Sequence, residues 1–121
     1  MAKIVYLLYR NPVMNISVMT GVTDIPDWCE AEVGSSNLLD MLAASPLAHV
    51  KSITAPVLFL IGDQDKRVPP SQAYQMYYAL KEQGVPSAIK VYPKNGHAIA
   101  KPESEADGWI NAAIWYQKYL Q

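Results

Sequence analysis

Apolar runs of strand length alternate along the chain with stretches of helical spacing. Ile4 to Tyr9 is a continuous apolar run with β-branched and aromatic members, stopped by Arg10-Asn11-Pro12, the pattern of a strand buried on both faces. Val13, Ile16 and Met19 then follow helical spacing up to Gly21, and Leu38, Leu39, Met41 and Leu42 form an amphipathic helix after the turn Gly34-Ser35-Ser36-Asn37. Val57 to Ile61 is the clearest strand, entered after Pro56, left at Gly62 and predicted to be central in its sheet. Ser71 is placed to cap a helix whose face is Ala73, Met76, Tyr77 and Leu80, with Gly84 and Pro86 as its stop signal. Ala88 to Tyr92 is a third strand ended by Pro93. The last segment opens with Pro102, Glu103, Glu105 and Asp107, suited to the positive end of a helix, and carries Ala106, Trp109, Ile110, Ala113, Tyr116 and Leu120 along one side.

The order strand, helices, strand, helix, strand, helix predicts an α/β fold with about three parallel strands and flanking helices. A chain of 121 residues, half of them apolar, holds one domain with a core of its own. At least one sheet edge has no evident cover, so the layer reads as part of something larger. Ten basic and eleven acidic residues, interspersed to a net charge of −1, supply neither a basic face for nucleic acid nor a polybasic run for a membrane. The run at Ile4 to Tyr9 is too short to span a bilayer and has no small-residue cleavage site behind it, which argues against a signal peptide. Cys29 is the single cysteine and lies in no metal-ligand spacing, which predicts a reducing, cytoplasmic setting and a buried, inert thiol.

The candidate chemistry sits past the ends of the second and third strands. Asp65 lies four residues beyond Ile61 and His97 five beyond Tyr92. If those strands are neighbours, a carboxylate and an imidazole emerge at one sheet edge, where open α/β sheets keep their active sites. The pair is two members of a hydrolytic triad, in which histidine takes the proton of a serine and the acid fixes the imidazole tautomer. Spacing alone leaves open a plainer reading, with Asp65 capping a turn and His97 a loop residue. Asp63-Gln64-Asp65 after an apolar strand also suggests a phosphotransferase of the haloacid dehalogenase type, but Arg67 stands where that pattern wants threonine or valine. Two ligands do not make a metal site, so neither a metal nor another cofactor is expected. His49 is assigned no role.

Five segments carry a family likeness. Arg10-Asn11-Pro12-Val13, Thr23 to Cys29, Gly62 to Pro69, Tyr92-Pro93-Lys94 with His97, and Asn111-Ala112 with Trp115 resemble the carboxyl-terminal part of acylaminoacyl peptidases, α/β-hydrolase serine peptidases of the prolyl oligopeptidase family. The resemblance implies a partial α/β-hydrolase, residues 1–121 forming the carboxyl-terminal portion of a catalytic domain. It implies that Asp65 is the triad acid, His97 the general base, and Arg67 either a ligand of the substrate's backbone carbonyl or a surface ion-pair partner.

The nucleophile of that family sits on a Gly-x-Ser-x-Gly elbow ahead of the acid and base. None of the serines here, at 17, 35, 36, 45, 52, 71, 87 and 104, lies in that motif. The expectation is a truncated serine-peptidase domain, inactive alone, acting on N-acylated peptides only if a serine-bearing half is supplied. The alternative is a non-enzymatic interaction module that self-associates, as a homo-oligomer, or pairs with a partner through an exposed strand edge.

Overall fold

The computed structural model describes residues 46–66 and 68–120. The strand expected at Ile4 to Tyr9, the helices expected before residue 46, Cys29 and Arg67 lie outside the described residues. A 3₁₀ segment, Pro46–Ser52, leads into strand β1 (Val57–Gly62), helix α1 (Pro70–Glu82), strand β2 (Ser87–Tyr92) and helix α2 (Pro102–Tyr119).

β1 and β2 are adjacent and parallel, in register from Val57 opposite Ser87 to Gly62 opposite Tyr92. Parallel neighbours need a crossover, and α1 supplies it. Alternation along β1 sends Val57 and Phe59 to one side, where Val57, Met76, Leu80 and Val85 form the buried cluster with Phe59, Val50 and Ile53 packed on it. Leu58 and Leu60 face the other way, toward α2, with Leu60 Cδ1 3.8 Å from the Cβ position of Gly108. The two-stranded layer thus carries a helix on each face.

α1 begins at Pro70, its first turn preceded by Pro69 with no side-chain cap. The cap expected from Ser71 is not made: proline at the first helical position has no N–H to satisfy, which removes part of the need for one. Its far end closes as a Schellman motif, with Val85 N–H donating to Leu80 O and Gly84 N–H to Lys81 O, both at 3.0 Å. Gly84 holds φ 76°, the left-handed conformation that this ending requires.

α2 differs from its sequence reading in the side it presents. Trp109, Ile110 and Ile114 are exposed, whereas Gly108 and Ala112 are buried. Small residues let the helix approach the sheet closely, and polar bonds from β2 fasten it: the Tyr92 hydroxyl donates to Asp107 Oδ2 at 3.0 Å, and Lys90 Nζ lies 3.0 Å from the same oxygen. Asn111 Nδ2 completes the group at 2.9 Å. Lys90 and Tyr92 beside Asp107 hold its carboxyl below the ordinary value of 3.8, the Lys90 hydrogen bond being the largest cause.

Candidate functional site

The parallel ladder does not stop where the strands do. Asp63 N–H donates to Tyr92 O at 3.2 Å and Gln64 N–H to Asn95 O at 2.9 Å, so the two loops leave the sheet side by side. Gly62 makes that approach possible. A Cβ at this position would collide with the carbonyl oxygens of Asn95 and Gly96. Only glycine lets the second loop lie across the first.

Asp65 uses both carboxylate oxygens. Oδ1 accepts the backbone N–H of Val68 at 2.9 Å, and Oδ2 lies 2.9 Å from His97 Nδ1. The first bond is the turn cap foreseen as the plainer reading, and the second is the juxtaposition foreseen as the catalytic one. The structure holds them together. A carboxylate accepts and does not donate, so Nδ1 carries the hydrogen and the basic lone pair sits on Nε2. The Asp65 side chain is 12% exposed and that of His97 33%, an acid tucked under a base that meets solvent.

The loop bearing His97 is tightly specified. Ile99 N–H donates to Gly96 O at 3.2 Å, and Ile99 has φ 48°, a strained conformation for a β-branched residue. Asn95 is 3% exposed. Its Nδ2 donates to Pro93 O and to Ser104 Oγ, each at 3.0 Å, and its Oδ1 accepts Lys101 N–H at 3.2 Å. Neither Asn95 nor Gly62 was singled out from sequence as a site residue. A glycine directly after an apolar strand was the one available signal for a close backbone approach.

A cleft of about 270 Å³ opens beside the pair, walled by Leu58, Leu60, Ile99, Gly108 and Trp109 with Asp65 and His97 on its rim. Apolar walls with few polar groups suit an organic ligand better than an ion. Among the described residues no cluster of three or more His, Cys, Asp or Glu could hold a metal. Nor is any described helix long and apolar enough to cross a membrane.

The prolyl oligopeptidase family profile matches residues 6–121. The chain belongs to that family. Among curated relatives, the acylamino-acid-releasing enzyme of Rattus norvegicus is 41% identical, over 92% of this chain and 16% of the relative. That of Arabidopsis thaliana is 38% identical over 98% of this chain and 17% of the relative. The chain therefore spans about a sixth of the length of the curated relatives it matches. A crystal structure of a dienelactone hydrolase candidate from Klebsiella pneumoniae superposes with a TM-score of 0.55 at 32% identity, covering 61% of this chain and 34% of that one. The partial α/β-hydrolase expected from the sequence is thereby borne out, and two adjacent parallel strands with their helices are described.

Proposed function

We propose that this chain carries the acid and base of a serine peptidase that releases N-acylated amino acids from peptides, with Asp65 as the acid and His97 as the base. The observation that carries the reading is the 2.9 Å contact between Asp65 Oδ2 and His97 Nδ1, in a chain of the prolyl oligopeptidase family. With Nδ1–H held by Asp65, Nε2 takes the proton of a serine hydroxyl as it attacks the scissile carbonyl, and the carboxylate stabilises the imidazolium that results. The same nitrogen then returns the proton to the departing amine. In this reading Arg67 contacts a backbone carbonyl of the peptide, and the setting is the cytosol.

No Gly-x-Ser-x-Gly elbow occurs in these 121 residues. The nucleophile comes from a separate serine-bearing segment, and the chain alone does not hydrolyse. Two experiments test this. A fluorophosphonate probe should leave the 121-residue chain unlabelled. Adding the serine-bearing part of the Rattus norvegicus enzyme's hydrolase domain should produce both labelling and cleavage of acetylalanine p-nitroanilide. Asp65→Asn should lower the reconstituted kcat by about 10⁴, because the wrong tautomer is then favoured, and His97→Ala should abolish it. Labelling of the chain alone, or reconstituted turnover indifferent to His97→Ala, overturns the reading. The rival reading, a non-enzymatic interaction module that pairs through an exposed strand edge, requires self-association or a bound partner. A monomeric molar mass without one counts against it.

A further inference from the structure

The geometry points to Asn95 as the residue that positions the acid–base pair. This inference rests on the reading of Asp65 and His97 as such a pair and adds what keeps them in register. Among the described residues Asn95 is the buried polar side chain, at 3% exposure, and its amide is satisfied on both sides. Its bonds are arranged around the site. The backbone carbonyl receives Gln64 N–H at 2.9 Å, one residue before Asp65. The side-chain oxygen receives Lys101 N–H at 3.2 Å, closing the loop from 95 to 101 across its base with His97 inside it. The amide nitrogen ties that closure back to Pro93 at the end of β2 and forward to Ser104 in the first turn of α2.

One side chain therefore sets where the base's loop begins, where it ends, and how far it stands from the acid's loop. Asparagine alone among residues of this size supplies the needed donor and acceptor together: aspartate cannot donate to Pro93 O, and leucine can do neither. A reason for so much fixing is visible at Ile99, two residues past His97, where φ 48° is costly for a β-branched side chain and persists only if the surroundings over-determine it. Without Asn95 the loop would relax, and His97 Nδ1 would leave Asp65 Oδ2.

The test reads His97 itself and needs no catalysis. In the ¹⁵N-labelled 121-residue chain, long-range proton–nitrogen spectra should show His97 as the Nδ1–H tautomer with a slowly exchanging proton. Asn95→Ala should give a mixture of tautomers and exchange of that proton at least roughly tenfold faster, the factor expected when a buried hydrogen-bonded closure is lost. Asp107→Asn serves as the comparator. It loosens α2 through a different set of bonds and should leave the His97 tautomer unchanged. If Asn95→Ala does not fold, Lys101→Pro decides. Lys101 has φ −70° and ψ 128°, which proline accepts, so that variant removes the N–H donor to Asn95 and little else. A single tautomer with unaltered exchange in the deciding variant overturns the proposal, as does an equal effect from Asp107→Asn. If the unsubstituted chain lacks the Nδ1–H signal, the acid–base reading itself has failed, and the positioning role falls with it.

Discussion

Substituting alanine for Gly62 puts one methyl group where two backbone loops meet. The added Cβ would lie 2.8 Å from the Asn95 carbonyl carbon and closer still to the Asn95 and Gly96 oxygens. Carbon atoms settle about 3.5 Å apart or more, so the carbon contact alone is short by roughly 0.7 Å. No side-chain rotation can relieve it, because every atom met is backbone. The bonds from Asp63 to Tyr92 and from Gln64 to Asn95 resist the shift that would make room. Overpacking costs about 1–3 kcal/mol in general, and a clash between pinned backbones belongs in the upper half of that range. With a urea slope of about 1–3 kcal/mol per molar, the unfolding midpoint should fall by roughly 1 M. Tryptophan fluorescence in a urea titration measures the midpoint, and the His97 Nδ1 proton reports the loops directly. A Gly62→Ala chain with the parent's midpoint, within about 0.3 M, and an unchanged His97 signal would refute the argument that the acid's and base's loops need this glycine.

Two other glycines should behave differently. Gly84→Ala meets no atom within 4 Å but must adopt φ 76°, so it should destabilise by about 1 kcal/mol through backbone strain alone, read as a lowered Tm. Gly108→Ala places its methyl 3.5 Å from the Tyr92 hydroxyl, an ordinary contact, inside a helix, and should raise stability by about 0.5–1 kcal/mol in the same assay. Asp107 contributes to the acid limb. Its folded-state carboxyl is held below the ordinary 3.8 by Lys90 and Tyr92, so its contribution is full above that value and disappears as pH falls through the depressed one. The stability gap between the parent and Asp107→Asn should therefore narrow on acidification below about pH 4, and salt should narrow it further at neutral pH, since both partners are part-exposed.

Much of this arrangement was legible in the residues. Val57 to Ile61 read as a strand because five apolar residues in a row, bounded by Pro56 and Gly62, have few other uses, and Ala88 to Tyr92 because apolar and aromatic residues flank Lys90 up to the stop at Pro93. The strands are observed as Val57–Gly62 and Ser87–Tyr92. Placing them side by side sufficed to bring Asp65 and His97 to one edge. The role of Asn95 was not legible, because a side chain that closes a loop depends on the loop's path, which no periodicity encodes. The side that α2 presents was misleading for a related reason. Its large apolar residues suggested the buried side, but the residues buried against the sheet are Gly108 and Ala112, and polar bonds at Asp107 and Asn111 reward the side that hydropathy alone discounts. The start of α1 was displaced from Ser71 because Pro70 already met its requirement.

The contact between Asp65 and His97 spans 32 positions and is built on one crossover between two adjacent strands. In genetic terms, Asp65 and His97 are tightly linked. A recombination or fusion that moves the coding sequence for residues 57–101 moves Asp65 and His97 together with Gly62 and Asn95. A break inside that block separates Asp65 from His97. The smallest stretch that carries this contact with its supporting bonds runs from β1 into the first turn of α2, where Ser104 meets Asn95.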